Sequence, residues 1–260
     1  HREGKIKKIL ERKKTKFIGV TKNQNNQTLV TTTGKKDKLD FFIHNPEKIN
    51  IRDNQLVVIE FVKWENDLPE AKISKIIGEQ GVVENEIHAI LQEYNLPYEF
   101  DQTLIKEAEA LKDLQNKESI KERRDLRNTT TITIDPEDAK DFDDAISIEK
   151  KEELIEIGIH IADVSHFLKE GSNLDKEAFQ RGTSVYLVDR VVPMLPESLS
   201  NNLCSLRPNE EKLTFSVIFT FNSNYEVKNY WFGRTVINSN QRFSYKEAQH
   251  IINNKSNIIP

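Results

Sequence analysis

From Gly4 to Gly78 apolar and polar residues alternate in short runs broken by polar turns, the period-two pattern of half-buried strands. Segments 6–10, 16–21, 28–32, 39–44, 55–64 and 70–77 are the expected strands, with turns at 23–26 and 34–37. Strands this short leave many bare edges unless the sheet closes on itself, so a five-stranded barrel of the OB type is the natural fold. The spacing also permits another small β-domain.

The period then changes. Ile87, Ile90, Leu91 and Tyr94 recur at helical spacing, and Leu104, Ile105, Ala108, Leu111 and Leu114 repeat it after Asp101, an expected N-cap. These two helices are expected to form a connector over 80–128, ending in a charged, exposed stretch at 117–127. From 129 onward strands alternate with helices: strands at 130–134, 145–148 and 154–162, a helix at 173–181 closed by Gly182, and a hairpin whose arms run from Leu213 to Phe221 and from Tyr225 to Ile237. Ser244 and Glu247 have the spacing of a capping box for a last helix reaching Ile252. The expected class is α+β: a small barrel over 1–79, the connector over 80–128, and part of a mixed α/β domain over 129–260.

Composition narrows the setting. The 260 residues suit about two domains, and 37% hydrophobic residues spread along the chain give each a core. The single cysteine, Cys204, cannot form an intrachain disulfide, and no apolar run is long enough for a membrane span or signal sequence, so a cytoplasmic protein is expected. The chain opens on His1, as an interior piece of a longer polypeptide would. The net charge of −4 is unevenly distributed: residues 1–80 carry 17 Lys and Arg against 11 Asp and Glu, and residues 81–260 carry 21 against 31. A basic first unit suits a surface that tracks phosphates, although lysines also serve solubility.

Chemistry concentrates between two expected strands. Residues 135–144 read Asp-Pro-Glu-Asp-Ala-Lys-Asp-Phe-Asp-Asp, with six carboxylates in ten positions. Carboxylates this dense repel one another unless a cation neutralises them, and oxygen donors without His or Cys point to Mg²⁺ or Mn²⁺ and away from zinc. An EF-hand is excluded, because its sixth position needs glycine and holds Lys140 or Ile146 in the two registers. A solvated acidic loop has the same composition. The apolar flanks Ile132, Ile134, Phe142, Ala145 and Ile146 favour a loop held against a core.

Thr133-Ile-Asp135-Pro-Glu-Asp-Ala-Lys-Asp141-Phe-Asp143-Asp144-Ala145 resembles the active-site signature of the ribonuclease II/ribonuclease R family. Four blocks follow in the family's order: Ile159-His-Ile-Ala-Asp-Val-Ser-His166, Arg181-Gly-Thr-Ser-Val-Tyr186, Val192-Pro-Met-Leu-Pro-Glu-Ser-Leu-Ser-Asn201 and Leu203-Cys-Ser-Leu206. The resemblance implies a hydrolytic 3′-to-5′ exoribonuclease that releases nucleoside 5′-monophosphates from single-stranded RNA. It also implies that Asp135, Asp141 and Asp144 hold Mg²⁺, for which Mn²⁺ substitutes, that Asp143 is essential to hydrolysis, and that Tyr186 stacks on a base near the 3′ end. The family's catalytic domain continues beyond these blocks and includes a further arginine, so this chain alone is expected to be incomplete.

The first unit resembles the cold-shock domain that precedes the family's catalytic domain, through 16–21 and 40–44. That resemblance gives Phe17, Phe42 and His44 as an RNA-stacking surface, with Lys13, Lys14, Lys16 and Lys22 beside phosphates. It departs at Gly19, where cold-shock domains often carry an aromatic residue, and Phe41 and Phe42 also suit the core. His160, His166 and Cys204 read as structural, since none has metal-ligand spacing. The rival from another class is a non-catalytic module that binds single-stranded RNA through the barrel alone.

Overall fold

The structure, a computed structural model, describes residues 4, 7, 10–12, 14–24, 27–34, 38–43, 51–65, 68–115 and 117–254. They form two compact units that divide between Tyr98 and Glu99.

In the first unit β1 (Lys16–Gln24), β2 (Gln27–Thr32), β3 (Asp40–Ile43), β4 (Gln55–Glu65) and β5 (Leu68–Glu79) close into a barrel in the order β1-β2-β3-β5-β4. The strand expected at 6–10 falls largely outside the described residues. Alternation sends Val30, Phe41, Ile43, Val57 and Ile59 inward. On the outside, Ile18, Leu56 and Val58 are covered by Ala89 of α1 (Val83–Glu93). The expected connector is therefore shared out: α1 packs on the barrel, and everything from Glu99 onward belongs to the second unit.

The second unit opens with α2 (Gln102–Ala110), whose first turn is capped by Asp101 accepting from the Thr103 N–H at 2.8 Å. A 3-10 turn (Leu111–Leu114) and α3 (Lys117–Lys121) lead to β6 (Arg124–Leu126). The charged stretch at 117–127 is thus not an exposed connection. Arg123 is buried, ion-paired with Asp163 at 2.7 Å, and it donates to the carbonyls of Thr214 and Thr235. A guanidinium with so many partners offsets its own desolvation, which charge counting along the sequence does not reveal.

β7 (Thr130–Asp135), β8 (Asp144–Lys151), β9 (Leu154–Ala162), β12 (Glu211–Phe221), β13 (Val227–Asn238) and β14 (Gln241–Ser244) join β6 in a seven-stranded sheet ordered β14-β7-β8-β9-β12-β13-β6. Between β9 and β12 lie α4 (Val164–Phe167), α5 (Asn173–Arg181), the two-residue strands β10 (Val185–Tyr186) and β11 (Val191–Val192), and a π-helical turn (Ser198–Leu203). α6 (Tyr245–Asn254) follows β14, and its capping box forms: Ser244 N–H donates to Glu247 Oε2 at 2.7 Å and Glu247 N–H to Ser244 Oγ at 3.2 Å.

One face of this sheet packs on a core with Ala145, Ala162 and Ile218. The other carries a row running Ile146, Ile159, Val217 and Phe232 across four strands, of which Ile146, Ile159 and Phe232 are exposed. Among the described residues no helix is long and apolar enough to cross a membrane.

The packed face also buries His160, whose Nδ1 lies 2.7 Å from Ser216 Oγ and Nε2 2.8 Å from Ser147 Oγ. Gly158 makes room for it: a Cβ there would stand 2.4 Å from Ser147 Oγ and 2.7 Å from His160 Nε2. Burial lowers the imidazole pKa to about 4. The unfolded chain, with its histidine near pKa 6.5, binds more protons between those values. Stability from this site is therefore full above pH 6.5 and falls by about 3 kcal/mol as the pH drops to 4. Urea midpoints across this range should show the loss, and His160→Gln should lack it. Parallel pH dependence in the two proteins would contradict the assignment.

Candidate active site

The acidic loop is delivered by two adjacent antiparallel strands. β7 ends on Asp135 and β8 begins on Asp144, so the loop between them returns the chain to the same end of the sheet. Its second limb is pinned. Phe142 is buried in the core, its N–H donates to Ser205 Oγ at 3.0 Å, and its carbonyl accepts from the Leu206 N–H at 2.9 Å. Ser205 Oγ donates in turn to the Lys140 carbonyl at 2.8 Å, and the Asp143 carbonyl accepts from the Ala162 N–H at 3.0 Å. The Leu203–Leu206 block and the end of β9 thus explain why distant segments belong to one site. The first limb is held by Arg242, whose Nη2 donates to the Pro136 carbonyl.

Asp135 is only 8% exposed, and its Oδ2 is buried without a hydrogen-bond partner. Burial raises its pKa, and the charges of Asp144 and Asp143 push the same way, against the Thr133 hydroxyl and the charge of Arg242. Asp143 has an exposed side chain, yet enough protein surrounds its carboxyl that desolvation raises the pKa, followed by Asp141 and Asp144. The four aspartates therefore act electrostatically on one another. Among the described residues no three His, Cys, Asp or Glu side chains stand close enough together to hold a metal ion as placed. The donor chemistry nonetheless suits a hard divalent ion: the set is all oxygen, one buried oxygen of Asp135 is unpartnered, and the like charges around Asp143 meet no opposing cation.

Tyr186 meets this loop. Its hydroxyl donates to Asp141 Oδ2 at 2.7 Å, and that bond, with burial of the hydroxyl, pushes its pKa up to about 12. The residue is 62% exposed, so it is not a core tyrosine. A cleft of about 660 Å³ is lined by Asp135, Lys140, Asp141, Tyr186, Arg190 and Asn201, with Val188 at the tip of the β10–β11 hairpin. Asp143 and Asp144 are not part of that lining.

In the first unit two members of the expected stacking surface, Phe17 and Phe42, do not share a face. Phe17 packs against the barrel core, its ring 5.0 Å from that of buried Phe41. Phe42 alternates with buried Phe41 and Ile43 and points outward, so Phe17 and Phe42 lie on opposite faces. His44 and Lys13 lie outside the described residues. Gly19 has a steric reason: a Cβ would meet Val30 Cγ1 at 2.4 Å and the Thr31 carbonyl oxygen at 2.7 Å. The structural readings of His160, His166 and Cys204 agree with their surroundings. His166 Nε2 lies 3.2 Å from the Leu114 carbonyl oxygen, and burial pushes the Cys204 thiol up to about 12. Sequence reasoning passed over Arg242 because the parallel β14–β7 pairing that brings it to the loop is nonlocal.

The RNB domain family matches residues 123–259 and a cold shock domain family matches 30–101. Ribonuclease R of Thermotoga maritima is 39% identical over 261 residues, covering 98% of this chain, which spans only 37% of that protein's length. The structure of Mycoplasma genitalium RNase R in complex with double-stranded RNA superposes with a TM-score of 0.89 at 26% identity, over 98% of this chain and 45% of that one. Yeast Ssd1, a pseudonuclease, shares the fold at a TM-score of 0.72 and 21% identity, over 96% of this chain and 33% of that one. With the RNB domain matched over more than half of the chain and a relative 39% identical over 98% of it, the chain belongs to the ribonuclease II/ribonuclease R family defined by the RNB domain.

Proposed function

We propose that the chain is the cold-shock unit and first catalytic portion of a longer, Mg²⁺-dependent hydrolytic 3′-to-5′ exoribonuclease, acting in the cytoplasm on single-stranded RNA and releasing nucleoside 5′-monophosphates. The observation that carries this reading is the cleft in which Tyr186, exposed and hydrogen-bonded to Asp141, faces the acidic loop. Asp135, Asp141 and Asp144 would hold the ion. When bound, it neutralises phosphate charge and lowers the pKa of an attacking water. The chain's own residues orient the substrate: Tyr186 offers a π-face to any base, and its protonated hydroxyl fixes Asp141. Asp143 serves the hydrolytic step at the end of the pinned limb.

The second reading, RNA binding without cleavage, is kept by the fold shared with the pseudonuclease Ssd1. Magnesium-dependent shortening of 5′-labelled RNA with mononucleotide release, by the longer protein, supports catalysis; gel retardation without products supports binding alone. Tyr186→Ala should weaken binding of short RNAs by about 1–3 kcal/mol without unfolding the unit. An unchanged dissociation constant would contradict the stacking role.

A further inference from the structure

We propose that Arg242 is a positioning residue that clamps both limbs of the acidic loop and so sets Asp135 against Asp141, Asp143 and Asp144. The inference rests on the reading of this loop as a divalent-ion site and extends it to a residue outside the acidic motif.

Arg242 sits on β14, the edge strand that runs parallel to β7 with Ser244 beside Asp135. The pairing is fixed at its start: the Thr131 N–H donates to Asn240 Oδ1 and the Asn240 N–H to the Thr131 carbonyl, each at 2.8 Å. It is fixed at its end by the Ser244–Glu247 box that starts α6. From this anchored strand the side chain of Arg242 reaches the loop at two points. Nη2 donates to the carbonyl of Pro136, the residue after Asp135, and the guanidinium carbon stands 5.6 Å from the ring centroid of Phe142, the residue before Asp143. One planar group thus touches the entry and the exit of the loop, and Phe142 is gripped between it and Ser205.

The arrangement is costly as a stability device, because Arg242 Nε is buried without a hydrogen-bond partner. It is also unexpected as an electrostatic aid, since a cation beside a cation site repels the ion. The two roles differ in sign. If Arg242 acts only through its charge, removing it tightens metal binding; if it clamps the loop, removing it weakens metal binding.

The test uses the whole chain with Arg242→Met and Arg242→Lys. Without metal, amide hydrogen exchange across 136–142 should quicken about tenfold in Arg242→Met, while β12 and β13 keep their protection. The Mn²⁺ dissociation constant, read by electron paramagnetic resonance, should rise about tenfold, as is usual when a residue supporting metal ligands is lost. Arg242→Lys should recover part of both effects. Unchanged loop exchange, loosening spread across the whole sheet, or tighter Mn²⁺ binding would each overturn the clamp. Asp141→Asn in the unmodified background separates the two proposals. If it leaves Mn²⁺ affinity unaltered, the ion site is wrong, while exchange across 136–142 still decides whether Arg242 holds the loop.

Discussion

Replacing Asp143 by asparagine, in a protein that carries this chain at the full length of its relatives, should slow RNA cleavage by at least about 10³-fold while the dissociation constant for single-stranded RNA changes by less than about threefold. The substitution keeps shape and removes charge. The backbone at Asp143 is held by the Ala162 N–H and by buried Phe142, so the loop has little reason to move. What is lost is a carboxyl already raised by burial and by Asp141 and Asp144, a group poised for the chemical step more than for ground-state contact. Single-turnover release of mononucleotides, with affinity measured separately in the absence of metal, checks both halves. Turnover equal to the unmodified protein would remove Asp143 from the hydrolytic step.

The second large effect concerns the 260-residue chain by itself. It should bind single-stranded RNA weakly, with affinity falling as salt rises, and release mononucleotides at least about 10²-fold more slowly than Thermotoga maritima ribonuclease R on the same substrate. Two observations motivate this. The chain spans 37% of that relative's length, and its seven-stranded sheet leaves Ile159 and Phe232 exposed beside Val217 on one face, an apolar surface suited to packing. If a longer chain supplies further walls to the cleft, this chain alone orients the 3′ end poorly, and orientation is a large share of catalysis in phosphoryl transfer. Equal rates per molecule would show that these residues suffice.

The barrel and the β12–β13 hairpin were legible because period-two alternation is local and each strand pairs with a near neighbour. So were the caps at Asp101 and Ser244, where a few consecutive residues carry the whole signal. The acidic loop was legible as a motif, and its bracing blocks were in place before their purpose was. What the sequence hid is nonlocal. β6 lies within a charged stretch and gains its place by parallel pairing with β13, and Arg123 is buried against Asp163, Thr214 and Thr235, which lie 40 to 112 residues away. The side on which Phe17 packs was hidden too, because alternation says which residues share a face without saying which face is the interior. Arg242 reaches the loop only once β14 is laid against β7.

The most direct test of the account is diffraction from crystals of this chain soaked in MnCl₂, recorded at the manganese edge. The account predicts an anomalous peak at the acidic loop within coordination distance of Asp135, Asp141 and Asp144, lost in Asp141→Asn crystals. No peak at the loop, or manganese bound only elsewhere on the molecule, would contradict the assignment of these aspartates as the ion's ligands.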